Sequence, residues 1–211
     1  GSENVDAVTS GSKNLERHIE NIGKFGVPVI VAINDYVTDT QKEHAAIIDY
    51  CKNIGVECKI SSHWEKGGKG AADLAEEVAK IADSNSANFK TLYDNKLSLW
   101  DKTQYIAQNI YGAANIIADK KIRNQFQKLE DDGFGEYPIC MAKTQYSFST
   151  DPLLMGAPSG HDVPIKEVRL SAGAEFVVVV CGEVMTMPGL PRIPASENID
   201  VDDSGLIQGL F

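Results

Sequence analysis

The sequence predicts an α/β fold in which parallel-strand βα units are followed by a mixed α+β C-terminal region. Residues 29–33 form an apolar run of mostly β-branched side chains, which is typical of a strand buried on both faces of a parallel sheet. A polar loop and a helical pattern follow it, over residues 34–53. The same order of strand, polar loop and helix recurs over residues 56–82. Two such units in series indicate parallel strands joined by right-handed crossovers.

The first region, residues 1–84, is expected to contain these two units. A helix over residues 14–25, with Ser12 as its N-cap, precedes the first strand, and Gly26 ends it. Asp39 and Thr40 can cap the next helix, which runs to residue 53, because their side-chain oxygens accept from first-turn amides. A strand over 56–60, a glycine-rich loop over 61–70 and a helix over 71–82 complete the region.

The second region, residues 85–211, reads as a mixture of helices, strands and long loops. A loop over 145–164 is rich in Ser, Pro and Gly, and loops of this length inside domains are often functional. The predicted elements are helices over 97–111 and 120–131, strands over 138–142, 165–170 and 176–181, a Pro-rich loop over 185–194, and a hairpin over 198–211 that turns at 203–205.

Composition and charge limit the classes of function. Of the 211 residues, 43 % are hydrophobic and 24 % are charged, as in ordinary globular proteins. The formal net charge of −10 argues against a nucleic-acid-binding surface. No apolar run approaches the length of a membrane span and no signal peptide is apparent, so a cytoplasmic location without membrane contact is expected.

The cysteines are Cys51, Cys58, Cys140 and Cys181, and no two of them form a CxxC pair. Without closely spaced Cys or His pairs, a zinc site is disfavoured, and the sequence predicts no metal site. Four buried, reduced thiols are the expected state.

Two aromatic residues lie just beyond the predicted parallel strands: Tyr36 after the first and Trp64 after the second. Ligands of open α/β sheets bind beyond the carboxyl ends of the strands. Each aromatic alone is more often a core or rim residue, but together they predict a crevice in which a planar heterocycle stacks between two rings.

Polar residues around this crevice are further candidates for binding. Asn34 lies at the end of the first strand, and Gly67 and Gly68 could present backbone amides to an anion. Lys66 and Lys69 could meet a carboxylate or phosphate tail. The glycine-rich loop is not a Walker A motif, and a simple flexible turn is the alternative. His63 and His161 are loop histidines without a visible partner, so the catalytic residues stay unknown.

Six motifs in this order resemble the formate–tetrahydrofolate ligase family (10-formyltetrahydrofolate synthetases). The resemblance covers essentially the whole chain. The motifs are residues 31–34 (VAIN), 38–40 (TDT), 64–70 (WEKGGKG), 142–149 (AKTQYSFS), 186–191 (TMPGLP) and 209–211 (GLF).

This resemblance implies a chemistry and a ligand. In the family, MgATP phosphorylates formate to formyl phosphate, and the N10 amine of tetrahydrofolate then attacks its carbonyl. The pterin is sandwiched between two aromatics that correspond here to Tyr36 and Trp64, which makes residues 1–84 the folate-binding region. The first aromatic is usually Phe after a basic residue, whereas this chain has Asp35 before Tyr36. That difference puts an anion contact at position 35 in doubt.

The family's chains are longer, and their ATP-binding P-loop lies in an N-terminal region. Gly1 and Ser2 look like the scar of a cleaved tag, so the chain is expected to be a C-terminal part without the P-loop domain, which would be its partner. MgATP, a monovalent cation and a homotetramer are expected for the whole enzyme. For this part alone, tetrahydrofolate is the expected ligand, with no bound cofactor and no turnover.

A binding or assembly module without a preformed ligand site is the rival hypothesis. In that case Tyr36 and Trp64 would pack against each other or against the missing domain, and the exposure of the two rings would discriminate. An unrelated nucleotide-binding α/β domain is disfavoured by the number of matching motifs.

Overall fold

A computed structural model describes residues 2–143, 148–184 and 192–209. The helices are α1 (Val5–Gly23), α2 (Gln41–Asn53), α3 (His63–Lys66), α4 (Ala72–Asp83), α5 (Leu99–Asn109) and α6 (Lys120–Leu129). The strands are β1 (Ile30–Asn34), β2 (Glu57–Ser61), β3 (Asn115–Ile117), β4 (Ile139–Ala142), β5 (Asp162–Ser171), β6 (Phe176–Cys181), β7 (Asp200–Val201) and β8 (Ile207–Gln208). A 3₁₀ segment, Gly67–Ala71, joins α3 to α4, and a π-helical turn, Glu130–Phe134, follows α6. The predicted combination of α/β units with a mixed region is confirmed.

Strands β1 and β2 pair in parallel, with Ile30 opposite Glu57 and Asn34 opposite Ser61. The predicted burial of β1 on both faces is wrong, because Val31 and Ile33 are buried while Ala32 between them is exposed. Successive side chains of a strand point to opposite faces, and the described part of the chain covers one face only.

The N-terminal helix is longer than predicted. It begins at Val5, and the Asn4 side chain caps it by accepting from the Ala7 amide at 3.0 Å. Ser12, the predicted cap, lies inside the helix, where its hydroxyl donates to the Val8 carbonyl at 2.9 Å. Serine and glycine at positions 10–12 are weak helix formers, so local propensity indicated a start that tertiary packing overrides.

Helix α2 begins where the sequence predicted. The Thr40 hydroxyl accepts from the Glu43 amide at 3.3 Å, and the Glu43 carboxylate accepts from the Thr40 amide at 3.1 Å. This reciprocal pair is a capping box, which satisfies two amides that would otherwise lack partners.

A four-stranded sheet in the order β3-β5-β6-β4 organises the second region. β3 and β4 run parallel to their neighbours, whereas β5 and β6 are antiparallel. Helices α5 and α6 contribute to a core with this sheet. Its fully buried members are Leu99, Ala107, Val163, Val177, Val179 and Cys181. Strand β3, which has only three residues, was not predicted from the sequence.

The prediction of four buried thiols is half wrong. Cys51 and Cys181 are buried, but Cys58 is half-buried and Cys140 is exposed, and all four are free. Cys140 lies on β4 at the edge of its sheet, and the alternation of that strand turns its side chain outward.

Helix α1 contacts the second region directly. The Asn14 and Asn21 amides donate to the carbonyls of Gly156 at 2.9 Å and Ile110 at 2.8 Å. The division at residue 84 stays a prediction.

The C-terminal hairpin of β7 and β8 turns over residues 202–206 as predicted. Residues 185–191, 144–147 and 210–211, with the motifs they carry, lie outside the described residues. Among the described residues, no helix has the length and apolar character of a membrane span.

Candidate functional site

The carboxyl ends of β1 and β2 meet at one edge of their sheet. Asn34 and Ser61 are partners at the ends of the two strands, and the Asp35 amide donates to the Ser61 carbonyl at 3.1 Å. Because the strands are parallel, the loops that carry Tyr36 and Trp64 leave the sheet on the same side. The structure therefore brings together the two aromatics that the sequence singled out.

The rings of Tyr36 and Trp64 lie 6.4 Å apart between centroids and are inclined by 39°. Tyr36 is 51 % exposed and Trp64 is 64 % exposed, so neither ring belongs to the described core. A flat ring sandwiched between two others needs about 7–8 Å, since carbon atoms in contact lie about 3.5–4.0 Å apart. A small opening and rotation of the two rings would make that space.

Hydrogen bonds shape the turn that holds Tyr36. The Tyr36 amide donates to Asp39 Oδ2 at 3.0 Å, and the Asp39 amide donates to the Tyr36 carbonyl at 2.9 Å. The Asn34 side-chain amide donates to the Tyr36 hydroxyl at 3.3 Å. Asn34 thus reaches the edge of the Tyr36 ring from the end of β1, and its role in binding a ligand stays a prediction.

Trp64 lies on α3, a single helical turn, rather than on the predicted loop. The Lys66 amide donates to the Ser62 carbonyl at 2.9 Å, which closes this turn. The buried Ser61 hydroxyl lies 3.0 Å from His63 Nδ1 and ties the start of the turn to the end of β2. This local hydrogen bond gives the His63 side chain a structural role in the turn.

The predicted anion-binding residues lie on the same segment. Gly67 has φ +58°, a conformation that favours glycine, and Gly67 and Gly68 open the 3₁₀ segment before α4. Lys66 lies 3.8 Å from the neighbouring Glu65 carboxylate, and both side chains are largely exposed. Lys69 is exposed as well. Exposed pairs of this kind are weak, so both lysines stay free to meet an anionic ligand, and their role stays a prediction.

A cluster that the sequence analysis missed lies beside the Tyr36 turn. His44 Nε2 is 3.4 Å from Asp35 Oδ1 and 3.8 Å from Asp39 Oδ2. Asp35 therefore faces His44, a residue of the first turn of α2. The spacing of two aspartates followed by a histidine within ten residues was the available signal, but helix and turn geometry had to bring them together.

The second predicted loop histidine, His161, immediately precedes β5, and its carbonyl accepts from the Ala114 amide at 2.7 Å. Burial lowers the pKa of the His161 imidazole.

An apolar cavity of about 570 Å³ lies elsewhere, between α1, α5 and residues 89–95. None of the predicted site residues lines it. Its walls include Ile22, Phe25, Phe89, Ile106, Tyr111 and Phe148.

Comparison with known proteins gives a consistent family. The family model of formate–tetrahydrofolate ligase matches residues 1–211. The chain is 58 % identical over 211 residues to a formate–tetrahydrofolate ligase of Roseobacter denitrificans, with all of the chain and 38 % of that protein covered. The ligases of Granulibacter bethesdensis and Pelagibacter ubique are 55 % and 53 % identical over 210 residues, with all of the chain and 37 % of each protein covered. The chain spans less than two fifths of these relatives' length, and it belongs to the formate–tetrahydrofolate ligase family.

Proposed function

We propose that this chain is the part of a formate–tetrahydrofolate ligase that holds the pterin of tetrahydrofolate, between the rings of Tyr36 and Trp64. The observation that carries the proposal is the placement of these two exposed rings 6.4 Å apart at the carboxyl ends of paired parallel strands. The relatives' name states that formate and tetrahydrofolate are joined, and a pterin is the planar heterocycle of that pair.

The reaction of the whole ligase runs in two steps in this proposal. The γ-phosphoryl group of MgATP moves to a formate oxygen and yields formyl phosphate and ADP. The N10 lone pair of tetrahydrofolate then attacks the formyl carbon, the bond from carbon to the bridging oxygen breaks, and inorganic phosphate leaves. The product is 10-formyltetrahydrofolate after N10 loses its proton.

The residues of this chain would bind and orient the folate. Stacking on Tyr36 and Trp64 would fix the plane of the pterin, and the Asn34 amide would hold the Tyr36 ring edge through its hydroxyl. Lys66 and Lys69, with the Gly67 and Gly68 amides, would meet carboxylates of the folate tail. Holding N10 in place converts the second step into a reaction between bound partners.

The phosphoryl-transfer step needs a loop that binds the phosphates of ATP. The 211 residues contain no Walker A motif, the usual sequence of such a loop. We therefore propose that the chain alone binds tetrahydrofolate without turnover, and that ATP, a monovalent cation and a homotetramer belong to a whole ligase in the cytoplasm. Incubation of the chain with MgATP, formate and tetrahydrofolate checks this point. Accumulation of 10-formyltetrahydrofolate would contradict it.

Tetrahydrofolate titration followed by tryptophan fluorescence tests the pterin site. The chain has two tryptophans, and Trp100 packs edge-on against Phe126 with centroids 5.5 Å apart, beside the core. We expect saturable quenching that Trp64→Ala removes and that Trp100→Phe, the matched control, retains. Quenching that survives in Trp64→Ala, or no binding by any method, would overturn the placement of the pterin.

A binding or assembly module without a folate site is the second candidate. The apolar cavity between α1 and α5 favours it, because Phe89 on its wall is 68 % exposed and exposed apolar surface often marks an interface. This candidate predicts that the chain does not bind folate. It also predicts that the chain self-associates through this surface and that Phe89→Ser weakens the self-association. Sedimentation velocity measures the second effect.

A further inference from the structure

We propose that Asp35, Asp39 and His44 form a site for a divalent transition-metal ion, which fastens the Tyr36 turn to helix α2. One carboxylate or imidazole donor atom from each residue lies within 4.8 Å of the other two. Metal binding by these three side chains does not require the folate site.

The separations between donor atoms match the edges of a metal coordination sphere. Two bonds of about 2.1 Å at an angle of about 110° place their donor atoms about 3.4 Å apart. His44 Nε2 and Asp35 Oδ1 are 3.4 Å apart, and the same nitrogen is 3.8 Å from Asp39 Oδ2. A single ion bound between them can therefore contact all three donors after small carboxylate rotations.

A direct hydrogen bond accounts for these separations less well. An imidazolium that donates to a carboxylate is expected about 2.7–2.9 Å from the oxygen, and both separations exceed this. His44 Nε2 is buried and has no hydrogen-bond partner among the described residues. A buried imidazole nitrogen without a partner is costly, and a cation between it and the two carboxylates would remove that cost.

The surroundings leave space for further ligands on the ion. The His44 side chain is 12 % exposed, whereas the Asp35 and Asp39 side chains are 27 % and 34 % exposed. The nitrogen thus lies on the protein side of the cluster and the carboxylates lie toward solvent. Water would complete the coordination from that side, as in sites with three protein ligands.

The donor set indicates the class of metal. One imidazole with two carboxylates suits zinc, manganese, iron, cobalt and nickel, whereas calcium and magnesium prefer oxygen ligands alone. Asp35 directly follows β1, Asp39 lies in the Tyr36 turn, and His44 lies in the first turn of α2. Asp39 Oδ2 also accepts from the Tyr36 amide, so a bound ion would restrain the segment that carries the Tyr36 ring.

Zn²⁺ titration of the chelator-treated chain, followed by isothermal calorimetry in a buffer that does not bind metal, tests the site. We expect one saturable Zn²⁺ per chain, with the affinity reduced tenfold or more in His44→Asn and in Asp35→Asn. His63→Asn is the matched control, since His63 is an exposed histidine outside the cluster, and its Zn²⁺ affinity should equal that of the unmodified chain.

Hydrogen exchange at the Tyr36 amide provides a second readout. Zn²⁺ should slow this exchange in the unmodified chain and in His63→Asn, and should leave it unchanged in His44→Asn. Absence of stoichiometric Zn²⁺ binding, or equal loss of binding in His44→Asn and His63→Asn, would overturn the proposal. The three asparagine variants each keep a polar side chain at the substituted position.

Discussion

Ser62 and Gly70 meet backbone to backbone beneath the turn that carries Trp64. The Ser62 amide donates to the Gly70 carbonyl at 3.0 Å. A Cβ atom added at Gly70 would lie only 2.4 Å from the Ser62 carbonyl oxygen. The glycine at position 70 is therefore required by a close approach of two backbone segments. The glycine-rich sequence has a structural reason at this position that does not involve an anion.

This close approach predicts the effect of Gly70→Ala. The new methyl group meets backbone atoms that cannot swing aside, so the variant should lose about 1–3 kcal/mol of unfolding free energy. It should also bind tetrahydrofolate more weakly, because the Trp64 turn shifts. Urea denaturation and the fluorescence titration measure the two effects. Gly68→Ala is the matched control, with no atom within 4 Å of its added Cβ, and an equal loss in both variants would contradict the explanation.

Removal of the Tyr36 ring should weaken tetrahydrofolate binding. An aromatic pair contributes about 0.5–1.5 kcal/mol beyond area burial. Tyr36→Ala should therefore lower the affinity for tetrahydrofolate by about twofold to tenfold. Tyr36→Phe keeps the ring and loses only the 3.3 Å hydrogen bond from Asn34, so its affinity should change less than twofold. If Tyr36→Phe binds as weakly as Tyr36→Ala, the hydroxyl and not the ring is the important contact.

Local sequence signals predicted the parts of the fold that local interactions determine. The capping box of Thr40 and Glu43 needs only residues three apart, and the start of α2 was predicted correctly. The parallel pairing of β1 and β2 followed from two βα units in series, and the proximity of Tyr36 to Trp64 followed from that pairing.

Features that depend on packing between distant segments were not predictable in this way. Strand β3 has three residues and owes its conformation to pairing with β5, 47 positions away. The outward direction of Cys140 depends on the edge position of β4 in its sheet. His44 belongs to an amphipathic helix pattern, and only the turn through Asp39 places its imidazole opposite two carboxylates.

Lys102 is fully buried and fastens the end of the π-helical turn to α5. Its ammonium group donates to the carbonyls of Gly135 at 2.6 Å and Tyr137 at 3.0 Å. Lys102→Met keeps the aliphatic stem but leaves two carbonyls without their donor, which should cost about 1–3 kcal/mol of unfolding free energy. Lys121→Met, at an exposed position of α6, should cost less than about 0.5 kcal/mol.

Burial lowers the pKa of Lys102 in the folded chain. The unfolded chain therefore binds more protons in the alkaline range below the unperturbed lysine pKa of about 10.4. The contribution of Lys102 to stability should rise with pH over this window, seen as a growing difference between the unmodified chain and Lys102→Met in urea denaturation. If the difference in stability between the two chains falls as the pH rises, the pKa of Lys102 is not lowered in the folded chain.

Asp202 organises the turn between β7 and β8. Its carboxylate accepts from the Ser204 hydroxyl at 2.6 Å, from the Leu206 amide at 3.1 Å and from the Gln208 side chain at 2.9 Å. These hydrogen bonds, that of Ser204 first, lower the pKa of Asp202 to about 2. Since the unfolded value is about 3.9, the carboxylate stabilises the hairpin fully above pH 4, and this contribution is lost as the pH falls toward 2.

The acid sensitivity of the hairpin should therefore depend on ionisation of the Asp202 carboxylate. Protection of the Leu206 amide from hydrogen exchange, corrected for the intrinsic rate, should fall between pH 4 and pH 2 in the unmodified chain. In Asp202→Asn it should be weaker at pH 5 and nearly independent of pH, because an amide oxygen accepts fewer and weaker bonds than a carboxylate. Asp203→Asn changes the same charge one residue away and should keep the acid-sensitive protection. If Asp203→Asn abolishes it instead, the pH dependence belongs to the charge of the turn as a whole rather than to the hydrogen bonds of Asp202.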